Sequence, residues 1–257
     1  QAPLLKLQSS TLTRLQPYCV MFGVSCFAIG SAGKGRAGHP KQLDRDLLRE
    51  TCAHLLKDAN GDLGLLTTKM DIERFKQWAH SQPDHHWWGS WEISGSAGTK
   101  KSCLEAVRAF SKDCRASFNK PLIYFTGHGD ENGNWCFPDG TISYYDLMDT
   151  SLNSLYFPVQ RLAGAIPGMG RLGDIISPCP MVMSDCCYSG QWAEISMRVE
   201  GFQVLSACGP DQVAIDTSFS RGYFERDKAE LRRLHARGAC CTQWDVRANK
   251  LVVKPLC

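Results

Sequence analysis

The stretch Pro180-Met-Val-Met-Ser-Asp-Cys-Cys-Tyr-Ser-Gly190 decides the fold. Met181-Val182-Met183 is apolar but too short for a helix, so it reads as a buried strand. It stops at Ser184-Asp185 and delivers two cysteines to a turn-prone Tyr188-Ser189-Gly190. A second run, Leu122-Ile-Tyr-Phe125, ends in Thr126-Gly127-His128-Gly129-Asp130. Short apolar runs bounded by turns suit strands of a covered parallel sheet. Ligands and chemistry in such sheets sit beyond the carboxyl ends of the strands. With the two strands as neighbours, an imidazole and a thiol meet there, which is the arrangement of a cysteine nucleophile with its base.

Working outward, alternation of strands and helices gives the expected class: α/β, a three-layer sandwich with a mainly parallel sheet and helices on both faces. Residues 1–17 read as a polar lead-in and 18–257 as one domain. Tyr18 to Ile29 is the expected first strand. Leu43, Leu47, Leu48, Cys52, Leu55 and Leu56 recur at helical spacing. Leu63 to Thr67 is expected as a short strand and Asp71 to His80 as a helix. Ser81 to Thr99 reads as a surface loop folded over its own tryptophans. A helix from Ser102 to Cys114 follows, then a hairpin turning at Asp139-Gly140, a helix opening at Tyr144, and a helix from Gln191 to Val199. Phe202 to Ala207 is the fifth strand, Asp227 to Arg237 a basic helix, and Leu251 to Lys254 an edge strand.

Composition excludes several classes. The 257 residues are 43% hydrophobic and 21% charged, an ordinary globular balance. The net charge of +3 lacks the density of a nucleic-acid groove. The apolar run Val20 to Ile29 is about half of a membrane span. Thirteen cysteines occur without a disulfide framework or a C-x-x-C pair, so reduced thiols in a cytoplasmic protein are the expectation. The chain begins at Gln1 without a methionine, as an excised piece would. Gly30 to Gly38 contains Lys34 but no Ser or Thr after it, so a phosphate loop is not supported.

Phe125-Thr-Gly-His-Gly129 and Asp185-Cys-Cys-Tyr-Ser-Gly190, 59 residues apart from His128 to Cys187, resemble the histidine and cysteine motifs of the caspase-like cysteine peptidases, and most closely the Asp-x-Cys-x-Ser-Gly of metacaspases. Asp44 to Leu55, Gly129 to Ile142 and Ser206 to Gln212 are similar to further stretches of that group, while residues 221–257 match weakly. The resemblance implies a caspase-like fold and hydrolysis of peptide bonds by a dyad of Cys187 and His128. It implies oxyanion donors at the N–H groups of Gly129 and Cys187. It also implies a substrate pocket from Asp185, Asp44, Thr126 and Ser206.

An acidic pocket would favour cleavage after Arg or Lys. Legumain-like peptidases share parts of both motifs and prefer Asn, and a catalytically inactive caspase-like interaction module is the other alternative. Adjacent residues of an extended segment face opposite sides, so one of the two cysteines belongs to the core, and the motif register assigns that place to Cys186. About 15 residues lie between Cys187 and the fifth strand, too few for the cleavable linker of caspases, so a single-chain enzyme is expected. The chemistry requires no cofactor; calcium is a further alternative, with Asp146, Asp149 and Asp211 as candidate ligands. Peptide or protein substrates are the expected partners, with neither nucleic acid nor membrane, and the edge strand is a candidate dimer contact.

Overall fold

A computed structural model describes residues 23–31, 63–92, 98–117, 119–152, 180–199, 201–245 and 250–256. The chain is α/β. In order it forms β1 (Gly23–Ser31), α1 (Leu63–Ser81), β2 (His85–Glu92), α2 (Lys100–Ser117), β3 (Asn119–Gly127), β4 (Trp135–Phe137), β5 (Gly140–Ile142) and α3 (Tyr144–Leu152). It continues with β6 (Met181–Asp185), α4 (Gly190–Arg198), β7 (Gln203–Ser206), a π-helical turn (Ser220–Phe224), α5 (Lys228–Ala236), β8 (Cys240–Asp245) and β9 (Lys250–Pro255).

Seven strands form one sheet in the order β2-β1-β3-β6-β7-β8-β9. The first five are mutually parallel, while β8 runs antiparallel to β7 and β9 antiparallel to β8. Strands β1, β3 and β6 are central and covered, so they are apolar almost throughout, as expected where helices lie on both faces.

Alternate residues of the strands feed two cores. Phe27, Ile29, Ile123, Phe125, Val182 and Val204 pack with Val107 and Phe110 of α2, Leu147 of α3 and Trp192 of α4. Cys26, Ala28, Leu122, Tyr124, Met183 and Leu205 pack on the other face with Ile72 and Phe75 of α1 and Leu234 of α5. Truncating a fully buried aromatic such as Phe110 or Phe75 costs about 3–5 kcal/mol. Helix α5 starts at Asp227, whose carboxylate accepts the N–H groups of Ala229 and Glu230 and so satisfies two donors of the first turn.

Three expectations are corrected. Leu63 to Thr67 is not a strand, because α1 runs unbroken from Leu63 through Ser81. The β-branched Thr67 and Thr68 suggest a strand, yet both are buried on the helix, and a Cβ at Gly30 would lie 2.5 Å from Thr68. Close packing of α1 on β1 therefore overrides local preference. Ser81 to Thr99 is not a loop throughout, since His85–Glu92 pairs in parallel with β1 as the sheet's edge. Its residues alternate in exposure, an edge pattern that the adjacent histidines and tryptophans hide from hydropathy. The last forty residues supply not one strand but two, β8 and β9. The helical pattern from Leu43 to Leu56 falls outside the described residues.

Candidate active site

The register of the sheet's centre sets the site. Strands β3 and β6 are parallel neighbours whose last paired residues are Thr126 and Asp185. His128 and Cys187 each stand two residues beyond that rung, on the two turns that leave the carboxyl ends of the strands. The turns touch. A Cβ built at Gly129 would lie 2.3 Å from the Cys187 carbonyl oxygen and 2.9 Å from Cys186 Sγ, so only glycine fits there.

The two cysteines separate as alternation requires. Cys186 packs in the core beneath α2 and α4, with its Sγ 3.4 Å from Ser184 Oγ. Cys187 belongs to the opposite core, the side of Tyr124 and Met183. Both are fully buried, so a molecule from solvent reaches the Cys187 sulfur only after covering groups move.

After His128 the chain folds back as a hairpin onto β4. Asp130 N–H donates to the Asn134 carbonyl at 3.1 Å and Cys136 N–H to the His128 carbonyl at 3.0 Å, with Gly129 and Trp135 facing each other between them. Facing residues of a pair bracketed in this way do not bond each other, so the Gly129 N–H points away from the hairpin. The Asp130 carboxylate closes the turn by accepting from Asn132 N–H, Asn134 N–H and Asn134 Nδ2. Trp135 anchors it below, stacked on Phe125 at 4.4 Å and on Trp192 of α4 at 4.6 Å, with Nε1 donating to Ser184 Oγ.

The cysteine turn is held from the far side by the segment that follows β7. Tyr188 takes φ of +58°, a conformation that a bulky residue adopts only under constraint. Its N–H donates to the Gln212 carbonyl at 2.8 Å. Ser189 Oγ accepts from Ala207 N–H at 3.1 Å and Cys208 N–H at 3.3 Å, which gives the serine of the motif a structural task.

Beside Cys187 lies a buried acidic group. Tyr124 Oη donates to Asp185 Oδ2 at 3.0 Å, both residues being fully buried. Asp71 of α1, 1% exposed, accepts from Thr126 Oγ1 at 3.0 Å and from Ser220 Oγ, with Arg74 Nη1 3.6 Å away. Burial first, then the charges of Asp185 and Asp71, push the Tyr124 hydroxyl well above its ordinary pKa, so both carboxylates bear on one phenol.

Asp71 is the residue that the sequence reading missed. An acid four positions before the buried Phe75 shares its helix face, and a carboxylate on an apolar face is the signal that could have found it. Asp44, assigned to the pocket by resemblance, falls outside the described residues. Ser206 pairs with Ser184 in the register of β6 and β7, and its hydroxyl bonds the Cys240 carbonyl and lies 3.1 Å from Cys240 Sγ, stitching β7 to β8.

The calcium candidates do not converge. Asp146 binds Lys100 Nζ at 3.1 Å and accepts from Ser143 N–H and Oγ. Burial pushes its carboxyl up, but the bonds to Ser143 and Lys100 outweigh this and hold it below the usual range. Asp149 is exposed on α3 and Asp211 exposed on the turn after β7. Among the described residues no group of three acidic, histidine or cysteine side chains could hold a metal, and none of the helices is long and apolar enough to cross a membrane.

No protein-family model matches the chain, and a search of curated proteins finds no match.

Proposed function

We propose that the chain is a caspase-like cysteine endopeptidase that cleaves after Arg or Lys. The observation that supports this reading is the register of β3 and β6, with His128 and Cys187 each two residues beyond its last pair, on touching turns. Cys187 attacks the scissile carbonyl as thiolate, His128 protonates the departing amine, and water then hydrolyses the thioester with His128 as base. The N–H groups of Gly129 and Cys187 stabilise the oxyanion, and losing one such donor costs about a hundredfold in rate. Three other buried thiols are poor rivals: burial pushes Cys26, Cys114 and Cys136 up to about 12, so they stay protonated at neutral pH.

Asp185, two residues before the nucleophile and on its side of the sheet, supplies the charge that draws a basic side chain. Asp71 reinforces it through Thr126, although Arg74 shares that charge. A second reading, a caspase-like interaction module without turnover, is favoured by the complete burial of Cys187 and Asp185.

A peptide-library cleavage profile separates the two. The full chain is expected to cut after Arg or Lys, with Cys187→Ala inactive and Cys186→Ala active. A profile centred on Asn or Asp would overturn the acidic pocket, and no cleavage at all would leave the interaction module.

A further inference from the structure

Cys208 is a buried thiol with no part in the chemistry above, and it lies against the peptide that the chemistry needs. It stands two residues past the end of β7 and is fully buried. Its Sγ is 3.4 Å from the Cys186 carbonyl oxygen, 3.1 Å from the Gln212 carbonyl oxygen and 3.5 Å from Ser189 Oγ. The Cys186 carbonyl is one end of the peptide whose other end is the Cys187 N–H. The Gln212 carbonyl accepts the N–H of Tyr188, which is the amide on the other side of Cys187. One side chain thus touches the carbonyl of one peptide unit flanking Cys187 and the partner of the other.

The turn needs such a restraint. Tyr188 is held at φ of +58° against its own preference, and a rotation of the neighbouring Cys186–Cys187 peptide would change the conformation of Cys187 beside it. That rotation would also place a carbonyl oxygen where the oxyanion donor belongs. Burial raises the Cys208 thiol above its ordinary pKa, although bonds to Ser189 and Tyr188 oppose it, so Sγ keeps its proton and acts as a donor.

We infer that Cys208 is a positioning residue: it shares its S–H between the Cys186 and Gln212 carbonyls and so locks the Cys187 N–H toward the oxyanion. This role rests on the peptidase reading. A peptide whose carbonyl is already hydrogen-bonded also donates more strongly through its N–H. The sulfur's longer reach lets one atom serve two carbonyls.

Three measurements on the full chain test it: hydrolysis of an arginyl fluorogenic peptide, inhibition by the matching peptide aldehyde, and alkylation of Cys187 by iodoacetamide. The aldehyde adduct carries an oxyanion and the alkylation does not. In Cys208→Ala, kcat should fall about tenfold with KM within about twofold, and the aldehyde should bind about tenfold more weakly. The alkylation rate should stay within about twofold, and Cys208→Ser, which keeps a donor, should recover part of kcat.

If Cys208→Ala is too unstable to assay, Cys208→Val, which is apolar and of similar size, is read in the same way. Unchanged kcat and aldehyde affinity would overturn the role, as would alkylation falling in step with hydrolysis, since the thiol itself would then have moved. A wild-type chain that neither cleaves the peptide nor binds the aldehyde would overturn the peptidase reading and this role with it.

Discussion

Replacing Gly129 by alanine probes the contact between the two turns. The new Cβ would stand 2.3 Å from the Cys187 carbonyl oxygen, whereas ordinary contact begins near 3.4 Å, so the turns must part by about 1 Å. Little else can yield, because the next contacts are Cys186 Sγ at 2.9 Å and Cys186 Cβ at 3.2 Å, both packed in the core. Overpacking of this kind costs about 1–3 kcal/mol. The catalytic cost is larger in proportion: displacing a reacting group by about 1 Å lowers the rate about a hundredfold. Steady-state hydrolysis of an arginyl peptide, beside thermal unfolding of the same preparation, reads both effects. The expected outcome is kcat/KM down about a hundredfold in a protein that still unfolds cooperatively. An alanine variant with wild-type turnover would refute the reasoning, because the turns would then not need to touch for the thiol and imidazole to work together.

The proposed acidic pocket makes a separate prediction. Asp185→Asn should lower kcat/KM for Arg substrates more than tenfold while raising the relative rate on uncharged residues, and Asp71→Asn should have a smaller effect in the same direction. Equal loss on all substrates would point to misfolding instead. Above neutral pH, the unfolded chain ionises its cysteines near their ordinary pKa while the folded chain holds Cys26, Cys114 and Cys136 up to about 12. Their stabilisation is therefore complete below about pH 8.5 and declines as pH rises toward 12, by up to about 1.4 kcal/mol per pH unit for each thiol. Urea midpoints between pH 8 and 11 should show it, with a shallower slope in Cys114→Ala; equal slopes would count against it. On the acid side, the N–H groups of Ala229 and Glu230, with Arg221 in support, hold the Asp227 carboxyl below its usual range. That contribution is present above the ordinary carboxylate pKa and lost as pH falls through the depressed one, so Asp227→Asn should flatten the acid limb of a thermal-stability profile and leave its neutral plateau in place.

The centre of the sheet was legible because covered strands advertise themselves. Met181 to Met183 and Leu122 to Phe125 are apolar on both faces and end at polar turns, so both strands, their direction and the two turns could be read directly. One edge, β2, was not legible, because half of it faces solvent and polarity there carries little information, whereas the other, β9, was expected at Leu251 to Lys254. His85–Glu92 mixes histidine, tryptophan and glycine, and the inner strand Cys240–Asp245, missed as well, opens with two cysteines that packing rather than hydropathy makes strand-like. The expected strand from Leu63 to Thr67 failed for a different reason, since the packing of the long helix α1 fixes its conformation from a distance. Asp185 was assigned to the pocket by resemblance, from its two-residue offset to Cys187, a local relation. Asp71 was not, because it meets Thr126 only through the packing of α1 across the sheet, a relation between residues 55 apart.

Trp135 and Trp192 lie with their indole planes 18° apart and ring centres 4.6 Å from each other, one on the hairpin that follows His128 and the other on the helix that follows Cys187. Chromophores so disposed couple their transitions, which makes the pair a built-in optical ruler across the base of the two turns. Any ligand or effector that pries those turns apart should announce itself in near-ultraviolet circular dichroism, without a label.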